Sequence, residues 1–256
     1  MEDTQKQDKL PPIKYTKRGG HLFEHVRDID NLKEAIKDAA RHKRKRKEAQ
    51  EVLEDIDGHA LELQRMLDEE TFIPAKYTMR RINAGSQKKT RDIAIPRFRP
   101  DQCVHHAFGR IFKKIVLHSA YPFSCGCVPG KGTHGAKTAI EKWIRKDPKH
   151  TKYVLKLDVR KCYPTMNHEE LRKKLQRRIK DKKFLRLADR IIASFQQPMA
   201  THERLLPETD AVGIPGGLFT SPWFCNFFFQ DIDHKVAESS GTALNVRYED
   251  DMVLID

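Results

Sequence analysis

Asn245-Val246-Arg247-Tyr248-Glu249-Asp250-Asp251-Met252-Val253-Leu254-Ile255-Asp256 is the stretch on which the reading of the chain turns. Two β-prone runs, Ala243 to Tyr248 and Met252 to Ile255, flank a short acidic break, the pattern of a hairpin. Adjacent carboxylates at a hairpin tip repel each other unless positive charge sits beside them. A bare Asp-Asp pair is most often a solvated turn. The alternative is a divalent cation, since Mg²⁺ takes oxygen ligands and usually engages one or two protein carboxylates.

A third carboxylate shifts that balance. Lys152-Tyr153-Val154-Leu155-Lys156-Leu157-Asp158-Val159 is short, rich in β-branched and aromatic residues, and gives way to a polar turn at Arg160 and Lys161. A strand delivering Asp158 at its end, beside a hairpin bearing Asp250 and Asp251, makes a three-carboxylate cluster. Such clusters hold two Mg²⁺ ions roughly 3.5–4 Å apart, the clamp of in-line phosphoryl and nucleotidyl transfer.

The remaining composition is compatible with that chemistry. Over 256 residues the formal charge is +13, an electrostatic case for a polyanionic partner. No apolar run reaches the length of a bilayer span, and the N-terminus is too polar for a signal peptide. Cys103, Cys125, Cys127, Cys162 and Cys225 form no C-x-x-C pair and read as reduced thiols of a cytoplasmic protein.

Residues 1–28 are expected to form a flexible polar tail. From Asp30 to about Leu67 the apolar spacing predicts helix, with Leu32, Ala35, Ile36 and Ala39 on one stripe. Within it, six of the seven residues 41–47 are Lys or Arg, among them Arg44, Lys45 and Arg46, which would contact nucleic-acid phosphates in a protein that handles nucleic acid. Lys76 to Ile82 and Thr90 to Ile95 read as a second hairpin around Asn83-Ala84-Gly85-Ser86, with Lys88, Lys89 and Arg91 near its tip. Asp101 to Leu117 reads as helix, with His105 and His106 at the surface or core edge. Asn167, with Glu170 three positions on, marks the start of a basic helix running through Lys180. An apolar helix around Phe184 to Ile192 follows. Ser221 as N-cap and Pro222 in the first turn mark an apolar helix to about Ala237.

The motifs, in this order, resemble those of reverse transcriptases. Tyr248-Glu249-Asp250-Asp251 is similar to the Y-x-D-D box, and Leu157-Asp158-Val159 through Tyr163 to the first palm motif. Arg91-Asp92-Ile93-Ala94-Ile95-Pro96 resembles the fingers segment of bacterial members. Ser124-Cys125-Gly126-Cys127-Val128-Pro129-Gly130-Lys131-Gly132-Thr133-His134 resembles the S-x-G-x-x-x-G-x-[GS]-T-H segment of group II intron, retron and related enzymes. Gly213-Ile214-Pro215-Gly216-Gly217-Leu218-Phe219-Thr220-Ser221-Pro222 is similar to the second palm motif, with Gly216 in place of the usual Gln; diversity-generating retroelements also depart from Gln there.

The resemblance implies an α/β right-hand polymerase fold, with fingers over residues 29–150 and an incomplete palm over 151–256. The chain stops five residues after Asp251, so the thumb is expected to be absent. The implied activity is RNA-directed DNA synthesis from an RNA template, a DNA primer and dNTP. Two Mg²⁺ ions, replaceable by Mn²⁺, would be held by Asp158, Asp250, Asp251 and the Val159 carbonyl. By the same resemblance Lys89, Arg91, Tyr163, Pro215, Gly216 and Gly217 meet the nucleotide, with Tyr163 excluding a 2′-hydroxyl. Tyr248 and Lys131 lie near nucleic acid. An accessory protein or separate thumb would complete the grip on the duplex. The rival readings are an RNA-directed RNA polymerase and a catalytically silent RNA-binding or defence module; no membrane partner is expected.

Overall fold

The computed structural model describes residue 13 and residues 18–84, 89–195, 211–239 and 244–256. Four helices open it: α1 (Leu22–Arg27), α2 (Ile29–Ala40), α3 (Lys47–Glu54) and α4 (Ile56–Asp68). The tail expected over residues 1–28 therefore ends early, because Leu22, Phe23 and Val26 of α1 are buried. Gly19 is also tied to the chain at Ile179 by two backbone hydrogen bonds of 2.8 Å.

The helix expected from Asp30 to Leu67 is three helices. Its basic run is a turn over residues 41–46, with His42 in the left-handed region at φ +64°. Lys and Arg are good helix formers, so the break is not local in origin. Lys43 reaches out of the turn to donate to Gln102 Oε1 at 2.5 Å.

Strands β1 (Thr78–Ala84) and β2 (Lys89–Ile95) pair antiparallel, and the turn between them lies outside the described residues. A wide turn at Phe98–Gln102 then leads into α5 (Cys103–His118), the helix around which the core is built. Its Phe108 stacks on Phe184, and its Phe112 packs near Phe224 and Phe227. His105 proves to be a core residue, whereas His106 is half-buried at the core edge. His105 Nδ1 lies 3.0 Å from Thr220 Oγ1, and His106 stacks on Phe219 with ring centroids 4.3 Å apart.

Helix α6 (Gly132–Lys146) precedes β3 (Val154–Asp158), α7 (Cys162–Thr165), α8 (His168–Arg178) and α9 (Lys182–Ala193). The Asn167 side chain caps α8 by accepting from the Glu170 N–H at 2.9 Å. Helix α9 buries Phe184, Leu187, Ala188, Ile191 and Ile192, each of the larger side chains contributing about 1.5–3 kcal/mol. The apolar helix α10 (Ser221–Ser239) begins differently from expectation. The Ser221 hydroxyl donates to the Pro215 carbonyl at 2.6 Å instead of capping, and the Thr220 carbonyl accepts the first helical bonds.

Strands β4 (Leu244–Tyr248) and β5 (Asp251–Ile255) complete a three-stranded antiparallel sheet in the order β3-β5-β4. Edge strand β3 is exposed throughout, including Val154, Leu155 and Leu157. Among the described residues no helix is long and apolar enough to cross a membrane.

Candidate active site

The sheet brings the three acidic residues together. Asp158, the last residue of β3, stands directly opposite Asp251, the first residue of β5. Tyr248 and Asp251 are also paired, so Glu249 and Asp250 form a two-residue hairpin loop. Such loops need φ > 0, and Glu249 supplies it at +55°. The Val159 N–H closes β3 onto the tip by donating to the Asp250 carbonyl at 3.2 Å. Carboxylate oxygens of Asp158, Asp250 and Asp251 all lie within 4.8 Å of one another.

Asp250 holds its proton more tightly than an ordinary carboxyl, chiefly because burial disfavours its charge. The neighbouring charges of Asp158, Asp251 and Glu249 add to this, while its own backbone N–H opposes. Lys156 relieves Asp251, with Nζ at 3.2 Å. Three crowded oxygen donors in this setting fit a hard divalent cation such as Mg²⁺ or Mn²⁺.

A buried guanidinium anchors the strand behind this loop. Arg247 is 1% exposed and grips the fully buried Asp233 of α10 through Nε and Nη2 at 2.7 and 2.8 Å. Its other hydrogens go to Asn226 Oδ1, the Glu249 carbonyl and Ser124 Oγ at 2.8–3.2 Å. All five donors are used, which is what burial of an arginine requires. Sequence reasoning missed Arg247, Asp233, Asn226 and Ser124. The available signal was parity: Asn245 and Arg247 share the face of β4 that a core-facing strand would fill with apolar residues.

The segment 123–125 runs beside β4, with Cys125 donating to the Arg247 carbonyl at 2.8 Å. Gly126 then meets the hairpin loop so closely that a Cβ would fall 2.4 Å from the Glu249 nitrogen. The Glu249 carboxylate accepts from the Cys127 thiol at 2.8 Å and the Tyr163 hydroxyl at 3.4 Å. Burial, then Glu249, pushes the Cys127 thiol up to about 12; burial pushes the Tyr163 phenol up as well, so both remain protonated donors.

Tyr163 also holds the glycine loop, its carbonyl accepting from the Ile214 N–H at 2.8 Å. The His168 imidazole lies 2.6 Å from the Gly213 carbonyl, which requires Nε2 to carry the hydrogen. The loop in turn carries the hairpin: the Ala94 N–H donates to the Gly216 carbonyl at 2.9 Å. Gly217 has φ +98°, and a Cβ there would sit 3.2 Å from that of Ile93. Pro215 is buried, whereas Gly216 is half-exposed.

The site therefore gathers Asp158, Val159, Asp250, Asp251, Tyr163, Tyr248 and residues 215–217. Arg91 is exposed on β2, two residues from the strand's contact with the loop, and Lys89 begins that strand with its side chain outside the described residues. Lys131 is turned onto its own loop, its ammonium 2.6 Å from the Pro122 carbonyl. Arg44, Lys45 and Arg46 are exposed in the turn between α2 and α3.

The reverse transcriptase (RNA-dependent DNA polymerase) family model matches residues 87–255, a span that includes every one of these elements except the basic turn. The chain belongs to the reverse transcriptase family. Its mixed α/β architecture is that of a right-hand polymerase. No curated protein matches the chain. Among solved structures, apo telomerase from Candida tropicalis, truncated from the C-terminal domain, is 12% identical with a TM-score of 0.45. That match covers 74% of this chain and 47% of the telomerase chain. Telomerase from Candida albicans, in complex with a fragment of telomeric RNA, is 13% identical with a TM-score of 0.44, covering 78% and 42%. The chain thus spans less than half the length of either telomerase.

Proposed function

We propose that this chain supplies the fingers, residues 29–150, and palm, residues 151–256, of a bacterial-type RNA-directed DNA polymerase. It would join dNTPs to a primer 3′-hydroxyl on an RNA template. The observation that carries the reading is the convergence of Asp158, Asp250 and Asp251 at the junction of two strand ends and a hairpin loop.

Asp158 and Asp250, with the Val159 carbonyl, are the ligands for two Mg²⁺ ions, and Asp251 adds negative charge beside them. When bound, the ions would lower the pKa of the attacking hydroxyl and neutralise charge on departing pyrophosphate. The chain's own residues position the reactants. Tyr163, fixed between Glu249 and Ile214, forms the floor under the incoming sugar and leaves no room for a 2′-hydroxyl. Residues 215–217 lie under the nascent base pair, and Arg91 offers a guanidinium fork to the triphosphate. Gly216 lacks the side chain that would rest on that pair, which widens the pocket and relaxes base selection.

The Lys156–Asp251 ion pair favours a second reading, in which the fold binds RNA without turnover. Primer extension separates the two. The assay uses an RNA template, a DNA primer, Mg²⁺ and dNTP, with Asp250→Asn compared against wild type. The polymerase reading expects incorporation by wild type and a loss of at least about a hundredfold in the variant, the scale on which electrostatic catalytic groups act. Equal incorporation by both proteins would remove the site assignment.

A further inference from the structure

Cys127 sits in a backbone conformation that does not suit it. Its φ is +54°, in the left-handed region that glycine takes freely and that a residue with a Cβ enters at a cost. Gly130 and Gly132 take positive φ in the same loop, yet position 127 carries a side chain. That side chain has a specific use: its Sγ donates to Glu249 Oε1 at 2.8 Å. Glu249 is itself left-handed, at φ +55°. Two strained residues thus meet through their side chains, and strain of this kind persists where the surrounding contacts over-determine it.

Glu249 has little freedom apart from its carboxylate. Gly126 presses against its backbone nitrogen, and its carbonyl accepts from Arg247 Nη1 at 2.8 Å. Although it precedes Asp250, it does not belong to the three-carboxylate cluster. Its two oxygens are divided between two donors, Oε1 to the Cys127 thiol and Oε2 to the Tyr163 hydroxyl at 3.4 Å. A carboxylate is planar, so a donor held on one oxygen fixes where the other is aimed. Tyr163 is pinned separately at its backbone: its carbonyl accepts from the Ile214 N–H, and neighbouring Cys162 packs against Cys225 with Sγ atoms 3.8 Å apart. The far end of the ring rests on Glu249 through a long hydrogen bond, which weakens quickly if the carboxylate turns.

We propose that Cys127 is a positioning residue for Tyr163, acting through the Glu249 carboxylate. Desolvation, then Glu249, pushes the Cys127 thiol up to about 12, so it stays protonated and serves as a hydrogen donor. The consequence for substrate choice rests on the polymerase reading. A Tyr163 ring that cannot swing aside turns away a sugar bearing a 2′-hydroxyl. Released from Cys127, the carboxylate loses its aim, the ring yields, and a ribonucleotide is admitted more readily. Choice between dNTP and rNTP is thereby set in part from the loop that precedes α6, by a side chain bonded to Glu249 and to neither metal ligand nor substrate.

Two measurements on the full chain test this. The first needs no turnover: urea unfolding of wild type, Cys127→Ala, Tyr163→Phe and the double variant. Contacts that share one carboxylate are coupled, so the double variant should lose less stability than the two single variants summed. Strict additivity would overturn the link. The second is kcat/KM for dGTP and for GTP opposite a template cytidine, with a DNA primer and Mg²⁺. Cys127→Ala is expected to lower the preference for dGTP about fivefold, the weight of one hydrogen bond, through a lower KM for GTP. Tyr163→Phe should shift the preference the same way and the double variant no further. Cys127→Ser, which keeps a donor, should restore the wild-type preference. A cysteine that merely supports the fold would lower kcat for both nucleotides together. An unchanged ratio in Cys127→Ala, or no rescue by serine, would overturn the proposal. Coupling in unfolding with no synthesis by wild type retains Cys127 as the positioning residue and removes only the polymerase reading.

Discussion

At the scale of single residues the account rests on charges placed where they cannot be neutral spectators. Asp158, Asp250 and Asp251 crowd one another at the sheet's end, while Arg247 and Asp233 sit behind them out of water. A buried pair broken on one side leaves an uncompensated charge, at about 3–5 kcal/mol. Arg247→Met should therefore destabilise the chain by that amount in urea unfolding. Arg247→Met/Asp233→Leu should recover part of the loss, because no lone charge then remains. A loss below about 1 kcal/mol for Arg247→Met would show that the guanidinium is not the anchor. The three acidic residues were legible in the sequence because chelation chemistry is carried by residue type and order. Arg247 was not, because its meaning depends on partners 14 and 123 positions away that burial alone brings together.

At the scale of elements, the contact between β2 and residues 216–217 decides how the β1–β2 hairpin meets the glycine loop. Two neighbouring glycines are predicted to respond in opposite ways. Around Gly216 the nearest atom to an added Cβ is the Asp92 carbonyl oxygen at 3.9 Å, so Gly216→Gln fits. Gly217→Ala must adopt φ +98° and press on Ile93, which costs about 1–3 kcal/mol. Thermal unfolding is expected to place Gly216→Gln within about 0.5 kcal/mol of wild type and Gly217→Ala well below it. Similar losses in both would contradict the packing described. In single-nucleotide misincorporation assays Gly216→Gln should also lower error, and unchanged misincorporation would remove the widened pocket.

Strand alternation and turn residues made both hairpins readable before any coordinates. Helix boundaries fared less well for a physical reason. The apolar stripe of α2 continues in phase through a basic run of high helix propensity, and the turn there is visible only through Lys43 reaching Gln102. His105 was read as an edge residue from its own polarity, but Thr220, more than a hundred positions away, makes the core around it; His106 does lie at the core edge, against Phe219.

At the scale of the whole molecule, those histidines couple stability to pH. Burial pushes His105 down to about 3 and His106 down to about 4, from an ordinary value near 6.5. The unfolded chain takes up their protons first, so the stability they contribute is complete above about pH 6.5 and is lost as pH falls toward 4. Asp101 and Asp250, both raised chiefly by burial, act in the opposite sense once the carboxylate range is reached. Melting temperature should accordingly fall between pH 6.5 and 5, and His106→Phe, which keeps the stack on Phe219, should flatten that slope. An identical slope in the variant would remove His106 as a source.

The central claim concerns the carboxylates, and it can be tested without turnover. Crystals of the chain soaked in Mn²⁺ and measured at the manganese absorption edge give an anomalous difference map that reports metal position directly. The account predicts density between the carboxylates of Asp158 and Asp250, absent in Asp250→Asn. A map featureless at the β3–β5 junction, or density unchanged in the variant, would contradict it.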